Sequence, residues 1–397
     1  MSGTAARTAP AHSSTTLDPG ATPRRFENLD GLRGVAALMV LVYHGILVFP
    51  QFGNPVLTGS SAGSWGWFEY SPLRILLSGT EAVLVFFVLS GFVLTLPVLR
   101  SAKFAWRAYY PSRILRLYVP VFAALAWSLV VLIVIPRHAL IHDPSAYMAV
   151  HAEPITFLKI ARDAVLLDGA NSYNGPLWSL QWEVVFSLLL PLYVFLAVRL
   201  KRFWLQLVFV LAAISAVAAV VDHPSLQYLP AFGIGALFAT ALPRVLGLIA
   251  RINAGSRARA TWIALTVVAA LLVTTAWTLA PVLPGRILPA TQFTVLLGAT
   301  LFVFIALGSP GAKAFLTTRF VRWLGMISFS LYLTHEPIVV GVAQLLPRSL
   351  EPWGFIVSVP LSLLVGWLFY RVVEKPAHRL SQAVKRRLSP SVDAAGA

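Results

Sequence analysis

Ten stretches of the chain run apolar for about the length a bilayer helix needs. They lie near 33 to 50, 76 to 97, 118 to 136, 179 to 198, 203 to 221, 226 to 241, 260 to 280, 289 to 307, 326 to 346 and 353 to 371. Crossing about 30 Å of hydrocarbon takes roughly 20 such residues at 1.5 Å of rise each. The pattern therefore predicts an all-α polytopic membrane helix bundle of about ten transmembrane helices. Polar positions inside these stretches are few, and each is a candidate for function, because an ionisable group in hydrocarbon needs a partner or a polar cavity.

The first stretch holds two of them. Arg33 and His44 stand eleven residues apart in LDGLRGVAALMVLVYHG, which is about three helical turns, so both share one face roughly 16 Å apart. Arg33 is expected at the headgroups and His44 near mid-membrane, lining a polar pathway or packing against another helix. His335, in LGMISFSLYLTHEPI, lies at a similar expected depth. Ser328, Tyr332 and His335 follow a four-then-three spacing and share a face. Tyr332 is placed to donate to His335 or to a ligand, or the three simply glue helices together. Glu183 falls seven residues after Pro176, about 10 Å in from the outer end of its helix, with Ser179 one turn before it. Its carboxyl could bind an acceptor, orient a histidine, or serve packing alone.

Composition and charge add topology. The chain is 58% hydrophobic and 12% charged, with a mean hydropathy of +0.77, outside the range of soluble domains. Of its 31 Lys and Arg residues, 25 fall at the N-terminus, the C-terminus and alternate connections. The opposite side has Arg74, Arg137, Lys159, Arg162, Arg286 and Arg348. By the positive-inside rule both termini are cytoplasmic, so the basic balance reads as topology in a multi-pass inner (plasma) membrane protein rather than nucleic-acid binding. Residues 1–25 read as a disordered cytoplasmic tail, 26–380 as the membrane domain, and 381–397 as a basic then disordered tail. The absence of cysteine excludes a thioester on the enzyme, thiolate metal sites and disulfides. No internal repeat is evident, which weighs against a repeat-built transporter.

Arg113 and Arg116, one turn apart in YYPSRILRLYVP, join Arg33 at the cytoplasmic entrance. Guanidinium forks suit phosphate oxygens, although juxtamembrane arginines also snorkel to anionic lipid. Ser90 and Gly91 in FFVLSGF allow close backbone approach, and Glu81 is either interfacial or a cavity wall. The loop from Arg137 to Gly175 has His138, His142, Asp143, His151, Glu153, Asp163 and Asp168 in no metal-binding spacing. ITFLKIARDAVLLD within it is amphipathic and suited to lying flat on the outer surface.

Together these segments resemble the acyltransferase 3 family of integral membrane O-acyltransferases over about residues 27 to 376. The resemblance rests on LDGLRG with the Arg33-to-His44 spacing, FFVLSGF at 86 to 92, the Arg113/Arg116 pair, WSLQWE at 178 to 183, SFSLYLTHEP at 328 to 337 and EKP at 374 to 376. It implies a cytoplasmic acyl-CoA donor, usually acetyl-CoA, as co-substrate with no tightly bound cofactor and no metal. The acceptor it implies is a hydroxyl on an envelope glycan, sugar or macrolide. Arg33, Arg113 and Arg116 would bind the donor and His44 would be the general base, with an acyl-histidine relay left open. Tyr332 or His335 would stabilise the oxyanion, and Glu183 would bind acceptor or orient a partner. Asp30, Ser90, Gly91, Trp178, Ser179 and Ser328 are expected to be structural or cavity-lining. Departures from the family pattern are Leu84 and Phe329, at positions where an acidic or small polar residue and a Tyr are common, and a missing hydrolase-like extension. The rival readings are a transporter or flippase using the same buried groups, and a lipid-embedded scaffold.

Overall fold

The computed structural model describes residues 26–135, 145–151, 154–166, 171–346 and 350–389. The described residues form helices and no strand. In chain order these are α1 (Glu27–Leu47), α2 (Pro50–Thr58), α3 (Gly66–Glu69), α4 (Gly79–Arg100), α5 (Trp106–Val134) and α6 (Ala146–Val150). There follow α7 (Phe157–Val165), α8 (Leu177–Arg199), α9 (Trp204–Val220), α10 (Pro224–Thr240), α11 (Leu242–Ala254) and α12 (Ala258–Val273). The last six are α13 (Thr275–Leu279), α14 (Gln292–Gly308), α15 (Pro310–Leu316), α16 (Arg319–Leu345), α17 (Glu351–Phe369) and α18 (Lys375–Leu388).

Nine of the ten expected stretches each coincide largely with one of these helices and the tenth with two, and the fold is an all-α polytopic bundle. Among the described residues eight helices are long and apolar enough to cross a membrane, and the pair α10 and α11, bent by 75°, makes a ninth when taken as one span. The stretch expected at 260 to 280 is broken at Thr274 into α12 and α13. Sixteen residues of α12 rise only about 24 Å, and α13 carries the chain on to Trp277 beside Glu81 at the opposite end.

Helix ends bearing the basic runs gather at one end of the bundle. Asn28 donates to the Ala306 carbonyl at 2.6 Å, Asn253 to Gly308 at 3.3 Å, and Arg244 to Lys201 at 2.7 Å. Arg322 pairs with Glu27 at 3.5 Å. At this end α18 continues helical to Leu388 and bonds through Ser381 Oγ to the Ser112 carbonyl at 2.7 Å. The helix thus runs on through residues 381–388, the stretch expected to begin the tail, while residues 1–25 and 390–397 lie outside the described residues.

The opposite end is capped by short helices. Pro50 forces the residue before it into extended backbone, and Phe49 has φ −78° and ψ 128°, so α1 stops and the chain turns into α2. Phe52, Tyr147 and Met148 from α2 and α6 then join Leu41, Tyr43 and Leu47 of α1 in one buried cluster.

Close helix approach is built on small residues, as membrane packing without a hydrophobic drive between helices requires. A Cβ on Gly91 of α4 would meet the Phe232 carbonyl of α10, and one on Gly235 would meet the Val88 carbonyl. The expected close approach at Ser90–Gly91 is therefore a backbone contact between α4 and α10.

Candidate active site

A second glycine pair sets the register of the site. Gly34 on α1 and Gly325 on α16 lie backbone to backbone, with Gly325 also against the Asp30 carbonyl. Asp30, half-exposed, contributes backbone to this crossing. The two helices run parallel from there, and ten residues on, about 15 Å along each axis, stand His44 and His335. A Cβ at either glycine would force the backbones apart and break the histidine register above.

The two imidazoles meet directly. His44 Nδ1 lies 2.9 Å from His335 Nε2, and His335 Nδ1 lies 2.9 Å from the Leu331 carbonyl. A carbonyl only accepts, so His335 Nδ1 carries a proton. With both rings neutral, His335 Nε2 accepts and His44 Nδ1 donates to it. The remaining nitrogen, His44 Nε2, is then a bare lone pair. His335 is fully buried whereas His44 is half-buried. α1 begins six residues before the expected stretch, and His44 falls in its last turn. It lies beneath the capping helices, where the Tyr147 ring of α6 stacks on it at 5.8 Å and 30°.

Beyond His335 the THEP sequence organises a polar network. Pro337 has no N–H, which deprives the Leu333 carbonyl of its helical partner. Asn174 Nδ2 fills that vacancy at 2.8 Å and also donates to Ser128 Oγ at 3.1 Å. The same docking brings the Gly175 N–H onto Glu336 Oε2. Glu336 Oε1 accepts from Tyr147 O–H at 2.9 Å and faces His151 Nε2 at 3.1 Å. Glu336, Tyr147 and His151 were not among the expected site residues.

Tyr332 does not bond His335. Ser179 Oγ donates to the Pro176 carbonyl at 3.0 Å, so at the 2.7 Å contact between Ser179 Oγ and the Tyr332 hydroxyl, Tyr332 is the donor. Tyr332 and His335 still lie close, ring centroids 6.2 Å apart. Ser328 returns its hydrogen to the Gly325 carbonyl at 3.0 Å, and Trp178 packs on Tyr228 at 4.9 Å and Phe87 at 6.3 Å. Both shape the walls and neither touches the histidines.

The arginine cluster sits at the other end of the same helices. Arg113 NH2 pairs with Glu183 Oε1 at 2.5 Å, while its Nε donates to Ser187 Oγ at 3.1 Å. Ser90 Oγ reaches the same Glu183 oxygen at 3.4 Å. Glu183 was expected on the outer side, apart from the donor arginines. Because Pro337 draws the N-terminus of α8 down to the level of Glu336, the helix starts deep and its second turn brings Glu183 to Arg113 instead. A second carboxylate, Glu374, ends the π-helical segment Tyr370–Glu374 between α17 and α18. It accepts from Ser330 Oγ at 2.5 Å and lies within electrostatic reach of Arg33 and Arg116. Arg116 is solvent-accessible on the inner face of α5, opposite the outward Ile114. It lies within electrostatic reach of Arg33, Arg113, Glu183 and Glu374.

Glu81 is neither interfacial nor part of the histidine site. Its Oε1 accepts from Trp277 Nε1 at 2.9 Å, beside the buried pair of Arg74 with Glu69 at 3.1 Å. Arg74 also stacks on Trp277 at 4.2 Å. Burial pushes the Glu69 carboxyl above the usual carboxylate range, with Arg74 pulling against it. In the long loop, Asp163 accepts the backbone N–H of Ser172 and Tyr173 at 3.2 and 3.0 Å, a structural role. Much of the expected flat helix is α7, while His138, His142, Asp143, Glu153 and Asp168 lie outside the described residues. Among the described residues no group of three or more His, Cys, Asp or Glu is placed to hold a metal ion.

Fold and site together define a polytopic membrane protein with an imidazole pair at one end of a parallel helix crossing and an arginine–carboxylate cluster at the other. The family model described as an acyltransferase domain, acyltransferase 3, matches residues 26–371, and the chain belongs to that family. No curated protein and no solved structure matches it.

Proposed function

We propose that this membrane acyltransferase moves an acyl group, acetyl in the simplest case, from cytoplasmic acyl-CoA to a hydroxyl of a sugar-containing acceptor such as an envelope glycan or a macrolide, in the inner membrane. The observation that carries the reading is the chain Leu331 carbonyl, His335, His44, which leaves His44 Nε2 unprotonated. Imidazole suits this task because its ordinary pKa lies near neutrality. The acceptor hydroxyl gives its proton to His44 Nε2 as its oxygen attacks the thioester carbonyl. The carbon–sulfur bond then breaks and the thiolate takes the proton back.

The donor enters at the arginine cluster. Arg116 and Arg33 meet its phosphates first, and Arg113 is held in position by Glu183 and Ser187. The roughly 16 Å from Arg33 to His44 along α1 is a length that an extended pantetheine arm can cover. Tyr332, tied to Ser179, and His335 border the point where oxyanion charge develops. Purified protein given acetyl-CoA and a panel of hydroxyl acceptors should release free CoA only when an acceptor is present. A transporter would move substrate without cleaving thioester, and acceptor-independent or absent CoA release would remove the acyl-transfer reading.

A further inference from the structure

The buried network beside His335 takes no part in the reaction as described so far. Glu336 is 2% exposed, adjacent in sequence to His335, and lies within electrostatic reach of both imidazoles. Its two oxygens are held by three groups from two separate segments: Tyr147 O–H, His151 Nε2 and the Gly175 N–H. His151 Nδ1 lies 2.7 Å from the Tyr147 carbonyl, which only accepts, so that nitrogen carries a proton. One further proton therefore sits between His151 Nε2 and Glu336 Oε1. Tyr147 links the network to the site twice, bonding Glu336 through its hydroxyl and stacking on His44 through its ring.

During transfer His44 gains the acceptor proton, and the imidazole pair becomes cationic in a place poor in water. A buried cation of this kind needs a counter-charge. Among the described residues the groups facing the pair are Tyr43 on α1, Tyr332 and Glu336 on α16, and Tyr147 and His151 on the α6 segment. Glu336 alone among them can carry negative charge at neutral pH.

We propose that Glu336 is a positioning residue for the His44–His335 pair, its carboxylate fixed by Tyr147, His151 and Gly175 so as to balance the charge the pair acquires as the acceptor proton arrives. The proposal rests on the acyl-transfer reading. The step is complete as written: the acceptor O–H bond breaks, the proton moves to His44 Nε2, the oxygen–acyl bond forms, and the departing thiolate recovers the proton. Glu336 exchanges no atom with substrate.

Two near-isosteric variants separate this role from a structural one. Glu336→Gln keeps an oxygen for the Gly175 N–H and offers an amide hydrogen to a neutral His151, so folding is preserved while the charge is lost. His151→Gln breaks the same pair but leaves the carboxylate. If Glu336 supplies charge, Glu336→Gln loses about tenfold or more in kcat with unchanged KM for acetyl-CoA, whereas His151→Gln stays within about threefold. If the network only braces the fold, both variants fall together and their thermal midpoints drop in parallel, which overturns the proposal. Wild-type activity in Glu336→Gln overturns it as well. Should Glu336→Gln not fold, His151→Gln decides alone, with a kcat within threefold supporting the proposal and a tenfold loss ending it. Failure of the acyl-transfer reading is distinguishable, because wild-type protein would then show no acceptor-dependent CoA release.

Discussion

The two ends of the α1 and α16 pair differ in almost every physical respect. At the histidine end the groups are packed, mutually hydrogen-bonded and sealed under short helices, and proton positions follow from a single backbone carbonyl. At the arginine end three guanidinium groups gather around two carboxylates, and Arg116 stands open to solvent. Three guanidinium groups face Glu183 and Glu374, leaving one net positive charge before an anion arrives. The contrast separates two tasks that one site performs badly: gripping a polyanion, which favours water and charge, and activating a hydroxyl, which favours a dry neutral base.

The largest effect concerns which end meets the donor. If the 25 cationic residues mark the cytoplasmic side, sealed inside-out vesicles should consume added acetyl-CoA and sealed right-side-out vesicles should not. Equal consumption would invert the assignment of the ends. Next comes the base itself. His44→Ala should lower kcat roughly a thousandfold with expression and thermal midpoint near wild type, as read by CoA release and detergent melting. His335→Gln, which leaves the base but not its tautomer lock, should lose roughly ten- to hundredfold in kcat with donor KM unchanged.

Effects at the arginine end should be smaller and should appear in KM. Arg116→Lys keeps the charge but not the fork, so donor KM should rise about five- to tenfold at constant kcat, whereas a lipid-snorkelling role predicts no change. The smallest effect belongs to Glu183→Gln. Removing the carboxylate that competes for Arg113 should lower the acetyl-CoA KM by about two- to threefold at low salt, fading as ionic strength rises. A change in acceptor KM instead would return Glu183 to the acceptor.

Much of this contrast was legible in the sequence. Apolar runs locate the helices because a span must be apolar over most of its length, and helical spacing placed Arg33, His44, Ser328, Tyr332 and His335 on shared faces. The depth of Glu183 was misjudged because α8 was assumed to start at the membrane surface. Only the unpaired Leu333 carbonyl, created by Pro337 and filled by Asn174, explains its deep start. Glu336 and Glu374 carry a readable signal, being carboxylates beside or within apolar helices, but in the sequence they stand out only as parts of SFSLYLTHEP and EKP. Tyr147 and His151 gave no such signal. They sit in a loop whose destination is set by tertiary contacts with Glu336 that no local pattern encodes.

The central claim is that His44 Nε2 is the bare nitrogen, and ring ¹⁵N spectra of histidine-labelled protein measure it most directly. His44→Ala and His335→Ala would assign the two rings. The account predicts that at neutral pH both rings are neutral Nδ1–H tautomers, with His44 Nε2 showing the shift of an unprotonated nitrogen. A His44 ring protonated on Nε2 could not accept the acceptor proton, and that result would contradict the mechanism.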